Sequence, residues 1–506
     1  MAASLSSFLL FIITQVNSAP TTMMTTPPPP RVAKWYPLDA GTCLNGERAS
    51  LYAYHEPADQ GTSMDWVIEV GGPPELDWCI SQEHCMTFGT PSKPGTSCDT
   101  NKTLCPQNTT FLGIGGPFST NCTDNPDFCG FNLARLAPSC TMDLFMGDNL
   151  YKNASMSNYS LHFDGMKVLE NSISKLGELG LSKAKQVLFT GVSWGGTVVF
   201  LTADRVESLI RKINPQLEKF KALPVDGLHP KQGTVIYVGN DVSGPQPDSW
   251  LTQALETMAT MANVENAVSD GCKAANPGAA WKCLYVNESL PYIKASLFAV
   301  NQMLSVWDSQ CQIEGLPVPN ILQVACSLKG PGWATVRQCN QYPEYCTSNY
   351  IANVTAPRQQ QYIDDYARSG VHTKQGNGGF FHSCYLGSYF QSGWGGTAIW
   401  NIIEVGGLTM RQAISNWWHD KDAAWSADCT WDPTQLDEPP KWAVNQTCAD
   451  WKYDAGHVGH KGCYEEGRSC CPPDNGNCRF FSCTPRPPWG CKWFCNPSCG
   501  KIQVYY

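Results

Sequence analysis

Between Lys183 and Ile210 the chain runs from a β-type stretch, Val187-Leu-Phe-Thr190, through Gly191-Val192-Ser193-Trp194-Gly195-Gly196 into Thr197–Ile210, which is apolar at helical intervals. Just upstream, Phe163, Met166, Leu169, Ile173, Leu176 and Leu179 recur at helical spacing and predict an amphipathic helix over 162–179. The order helix, strand, tight turn, helix points to an α/β architecture. In that setting a sharp, strained turn lifts a serine hydroxyl clear of the sheet, and glycines permit the close approach and unusual dihedrals this needs. Ser193 is therefore the candidate nucleophile. The competing reading is a structural glycine turn with an incidental serine.

The first eighteen or so residues are apolar, too few to span a bilayer, and end in Asn17-Ser18-Ala19, which predicts a signal peptide over 1–19. Twenty-five cysteines argue for an oxidising compartment, where disulfides persist. The odd count leaves at least one cysteine without a partner in the chain. Eight Asn-x-Ser/Thr sequons (Asn101, Asn108, Asn121, Asn153, Asn158, Asn287, Asn353 and Asn445) add the expectation of N-glycans and a secreted, extracellular or cell-wall location. A net charge of −9 without a long basic run disfavours nucleic acid and anionic membrane surfaces. Past the leader, no stretch reaches eighteen uninterrupted apolar residues, so no membrane span is expected.

Residues 20–34 read as a Thr/Pro-rich linker and 35–450 as one large domain. Residues 451–506 form a Cys-rich tail that must be stapled by bridges, because it has too little apolar sequence for a core. Within the tail, Cys491-x3-Cys495-x3-Cys499 also has metal-like spacing, but an oxidising lumen favours disulfides, and no metal is expected.

A serine nucleophile needs a histidine base, and that base needs an acid to hold its tautomer. In α/β-hydrolases the chain order is Ser, acid, His. Asp308 follows the β-type run Ala295–Val300, and Asp241 follows the run Thr234–Tyr237, so either suits the middle role. Downstream, His382 ends the short aromatic run after Gly378-Gly-Phe-Phe and is the expected base among His372, His382, His419, His457 and His460. The oxyanion hole is expected to take the backbone N–H of Trp194 and that of Gly72, the latter in the loop after Trp66–Val70.

The order of these motifs resembles the pectin acetylesterase family, which includes Notum-type carboxylesterases. Gly41–Gly46, Gly71-Gly72 with Trp78-Cys79, Asn125-Pro-Asp-Phe128, Cys140, Gly191–Gly196, Trp307-Asp308-Ser309 and Cys495–Cys499 carry the resemblance. It implies an α/β-hydrolase-like, mostly parallel central sheet flanked by helices, no cofactor, and removal of an acyl group from a carbohydrate or a lipidated protein. It also favours Asp308 over Asp241.

Three departures stand out. Pro73–Asp77 is inserted in the glycine loop, Trp194 replaces a small residue beside the serine, and Gly387 occupies the family's histidine position in Ser383-Cys384-Tyr-Leu-Gly387. The leading expectation is a serine esterase acting on acylated, first of all acetylated, cell-wall polysaccharide. The alternatives are a Notum-like protein deacylase, a pseudoenzyme that binds carbohydrate or lipid, and a structural extracellular glycoprotein.

Overall fold

The computed structural model describes residues 32–54, 64–71, 78–79, 81–89, 108–110, 115–137, 140–152, 160–229, 234–238, 241–246, 250–303, 356–382, 400–401, 404–405, 407–421, 425–427 and 503–505. The leader, residues 20–31 of the linker, Gly72, Asp308, Gly387 and nearly all of the Cys-rich tail lie outside the described residues, and linker residues 32–34 open β1.

The strands, in chain order, are β1 (Val32–Thr42), β2 (Arg48–Tyr54), β3 (Trp66–Val70), β4 (Asn108–Thr110), β5 (Asn132–Leu136), β6 (Asn149–Tyr151), β7 (Leu161–Phe163), β8 (Gln186–Val192), β9 (Lys219–Val225), β10 (Thr234–Val238), β11 (Asp241–Gln246), β12 (Phe298–Gln302), β13 (Gly378–His382), β14 (Glu404–Val405), β15 (Leu408–Thr409), β16 (Trp425–Ala427) and β17 (Gln503–Tyr505). The helices are α1 (Gln82–Gly89), α2 (Gly165–Glu178), α3 (Trp194–Ile213), α4 (Trp250–Ala262), α5 (Asp270–Ala275), α6 (Val286–Ser289), α7 (Ala356–Arg368) and α8 (Met410–Trp418).

One eleven-stranded sheet runs β17-β16-β13-β12-β9-β8-β3-β5-β2-β1-β4. Its centre, from β5 across to β16, is parallel throughout, and antiparallel strands close both edges. The expected mostly parallel, helix-flanked sheet is what forms. Parallel strands are covered on both faces, which is why β8 is apolar almost without alternation. Val187 and Phe189 pack on one face with Val198, Val199 and Ala203 of α3, and Leu188 points to the other. There α8 lies across the sheet, with Trp417 against Phe298 and Trp418 against Phe128.

The amphipathic stretch after 162 forms α2 from Gly165; His162 and Phe163 instead belong to β7, paired with β6. β10 and β11 form a two-stranded sheet of their own, so Asp241 opens a hairpin strand and does not follow a strand of the main sheet. In the tail, Gln503–Tyr505 pairs with β16 and joins the central sheet.

Connectivity reverses beside β3. From β3 the chain passes through β4 to β5 on one side, while β8 leads to β9 on the other, so the carboxyl ends of β3 and β8 form a topological switch point. Glycines bring α3 and its neighbours together there. A Cβ on Gly195 would strike the carbonyl oxygen of Val70, and one on Gly196 the carbonyl oxygen of Val225. Neither obstacle is a side chain that can rotate away. Gly195→Ala is expected to cost about 3 kcal/mol of stability by overpacking, read by urea denaturation; a loss under about 1 kcal/mol would mean that α3 can shift off the sheet.

Candidate active site

Ser193 sits between β8 and α3 at φ 57°, ψ −126°, a backbone conformation that L residues with a Cβ rarely adopt. Its N–H donates to the Val225 carbonyl at 2.8 Å, and its own carbonyl accepts from Thr197 N–H at 3.0 Å. These bonds hold the strained turn from both sides. The side chain caps no helix N–H, which leaves the hydroxyl available for chemistry. Strain of this kind concentrates where function requires it.

Trp194 is the first residue of α3, a 20-residue helix. Its N–H belongs to the first turn, whose amides have no partner within the helix and carry the positive end of the helix dipole. Negative charge developing next to Ser193 would meet that field.

Trp78, in the segment after β3, is fully buried and is held by its own supports. Trp78 bridges to Asp143, and Cys79 N–H donates to Met142 carbonyl at 2.8 Å. The Asp143 carboxylate accepts from Thr141 Oγ1 at 2.5 Å and from the N–H groups of Phe145 and Gly165, each at 3.0 Å. Burial pushes its carboxyl up to about 6, against those hydrogen bonds. Asp143 is therefore a support beneath Trp78. In the same loop, Met142, Leu144 and Phe145 all take positive φ.

His382 ends β13, as the sequence indicates, but it is fully buried, with its ring near Phe380 on the α8 face. Its carbonyl accepts from Met303 N–H at 2.8 Å. Burial drives the imidazole down to about 3 and keeps it neutral. β9 and β12 stand between β8 and β13, three strand spacings or about 14 Å of sheet.

The lowered value carries a stability consequence. Between about pH 6.5 and 3 the unfolded chain binds a proton at this histidine that the folded chain refuses, so stability falls as pH falls through that window. The loss at pH 5 is about 2 kcal/mol, at 1.4 kcal/mol per pH unit. His382→Phe is expected to remove that part of the slope in urea denaturation at pH 7 and 5. His84, driven down to about 4 by burial, contributes equally to both proteins and cancels in the comparison. Equal slopes would mean that His382 is protonated in the fold.

Two residues near the nucleophile were not singled out from sequence. His229, which follows β9, lies upstream of both acids, and the chain-order rule passes it over; its ring centroid lies 4.6 Å from that of Trp194. Asp226, at φ 50°, is buried at the end of β9, and its Oδ1 accepts from Gln302 N–H at 2.7 Å. No local signal marked either one, because each is placed by strand pairing.

A parallel sheet with a strained serine between strand and helix at its switch point defines the α/β-hydrolase-like class. The chain belongs to the pectinacetylesterase family, whose pattern matches residues 36–448. It is 25% identical over 394 residues to pectin acetylesterase 11 of Arabidopsis thaliana, an alignment covering 77% of this chain and 86% of that protein. It is 25% identical over 287 residues to palmitoleoyl-protein carboxylesterase notum2 of Xenopus laevis, covering 54% of this chain and 51% of the relative. Among solved structures, the Wnt deacylase Notum from Drosophila superposes with a TM-score of 0.51 at 17% identity, covering 77% of this chain and 93% of that one. That likeness is one of fold. The family relation makes the chain an esterase or deacylase by class. Among the described residues no helix is long and apolar enough to cross a membrane.

Proposed function

We propose that the chain is a secreted serine carboxylic-ester hydrolase that removes acetyl groups from cell-wall polysaccharide through an acyl-enzyme. The observation that carries this reading is Ser193, held at positive φ at the switch point of the sheet with the N-terminus of α3 beside it. The Ser193 hydroxyl attacks the acyl carbon and a general base takes its proton; His382 and Asp308 are the sequence candidates for that base and for the acid that orients it. The N–H groups of Trp194 and Gly72 bind the oxyanion. The proton passes to the departing sugar oxygen, which leaves as a hydroxyl, and water then releases acetate from Ser193.

The organisation proposed with it is a leader over 1–19, a linker over 20–34, a catalytic domain over 35–450 and a stapled tail over 451–506. Four disulfides among the described residues, Cys43–Cys140, Cys79–Cys85, Cys122–Cys129 and Cys272–Cys283, favour an oxidising compartment and hence secretion. The proposal needs no cofactor, and its partners are ester substrate and N-glycans.

The burial of His382 on the α8 face, with two strands between β13 and β8, favours a second reading: a relative that keeps the pocket, binds acylated carbohydrate or lipid, and turns nothing over. Hydrolysis of p-nitrophenyl acetate by wild type and His382→Ala separates the two. Turnover by wild type that collapses in His382→Ala supports the esterase with this base, and turnover that survives moves the base elsewhere. A wild type that neither turns over nor reacts with a fluorophosphonate leaves the binding reading.

A further inference from the structure

Trp194 opens α3 just past the carboxyl end of β8. β3 and β9 are the two neighbours of β8, and the segment after each contributes a ring against the Trp194 indole. Trp78 packs edge-on at 5.0 Å from one side, and His229 lies tilted by 39° at 4.6 Å on the other. The indole is 5% exposed although it follows the nucleophile directly. Trp194, Thr197 and His229 line a small cleft together with Leu255 of α4, Leu284, Tyr285 and Val286 of α6. Most of that wall is apolar.

We propose that Trp194 is the specificity-determining residue of this site: its indole seals the apolar cleft from Ser193 and limits the acyl group to a short one. The proposal rests on the reading of Ser193 as nucleophile. An acyl chain on Ser193 has to extend past the neighbouring side chain. Turning the indole away from the cleft would break its ring contacts with Trp78 and His229. With a small side chain at position 194, the emptied space would join the cleft, and an apolar space of that kind takes up apolar ligands. Each added methylene would then improve binding in place of colliding.

The test compares wild type, Trp194→Ala and Trp194→Leu in two measurements. In the first, the kcat/KM ratio of p-nitrophenyl octanoate to p-nitrophenyl acetate is expected to rise at least tenfold in Trp194→Ala and less in Trp194→Leu. In the second, decanoate binding by calorimetry at millimolar ligand is expected in the variants and absent in wild type; this arm needs no turnover.

A wild type that hydrolyses octanoate as readily as acetate overturns the proposal. So do folded variants, by circular dichroism and melting, whose ratio and decanoate binding match wild type. A wild type without turnover or labelling, whose Trp194→Ala variant gains decanoate binding, sinks the esterase reading and upholds the sealed cleft. If Trp194→Ala fails to fold, the Trp194→Leu result decides.

Discussion

Ser193→Ala is expected to lower ester hydrolysis by at least four orders of magnitude while leaving stability unchanged within about 0.5 kcal/mol. The first effect follows from removing the attacking oxygen, since what remains comes only from the oxyanion donors and substrate binding. The second follows because alanine keeps the Cβ, and because the Ser193 side chain caps none of the α3 amides. Ser193→Gly should abolish hydrolysis equally, yet stabilise the fold by about 1–2 kcal/mol, because φ 57°, ψ −126° costs a residue with a Cβ energy that glycine does not incur. Paired urea titrations and initial rates read both effects. Retained hydrolysis in the alanine variant would move the nucleophile elsewhere, and a glycine variant no more stable than alanine would show that the turn stores no strain.

Removing the Cys43–Cys140 bridge should cause the largest loss of stability from a single cross-link among the described residues. It closes a loop of 97 residues, for which chain entropy implies about 4–5 kcal/mol. The other described bridges close loops of 6, 7 and 11 residues, and the entropy released grows with loop length. The bond also joins the stretch just after β1 to the loop holding Asp143, Met142 and the support under Trp78. Cys43→Ala/Cys140→Ala is the clean comparison, because a single replacement leaves the partner cysteine as a free thiol. A loss below about 1 kcal/mol would mean that the strained 141–147 loop keeps its shape without the bond.

The local part of the site was legible in sequence. β8, the glycine turn and α3 announce themselves because each is specified by neighbours along the chain: an apolar run, close-packed glycines, helical periodicity. The same holds for β3 and for the aromatic run ending at His382. Less legible were the features that strand order creates. Nothing in the spacing of Trp78, Trp194 and His229 shows that their rings meet, because β3, β8 and β9 become neighbours only through pairing. The hairpin of β10 and β11 left the main sheet although its run resembled a core strand, since a short β-type run does not name its partner. His382 was found at the strand end anticipated, but its burial depends on α8 and on the neighbouring β12, which no local pattern reveals. The strand membership of Gln503–Tyr505 was hidden for the same reason: pairing with β16 decides it, and the surrounding cysteines suggested only bridges.

The most direct test of the central claim is fluorophosphonate labelling of the intact wild-type protein, followed by peptide mapping. The account predicts one label per chain on the peptide containing Ser193, with hydrolysis of p-nitrophenyl acetate lost in step with labelling. Turnover of the ester by protein that stays unlabelled, or that carries its label on another residue, would contradict it.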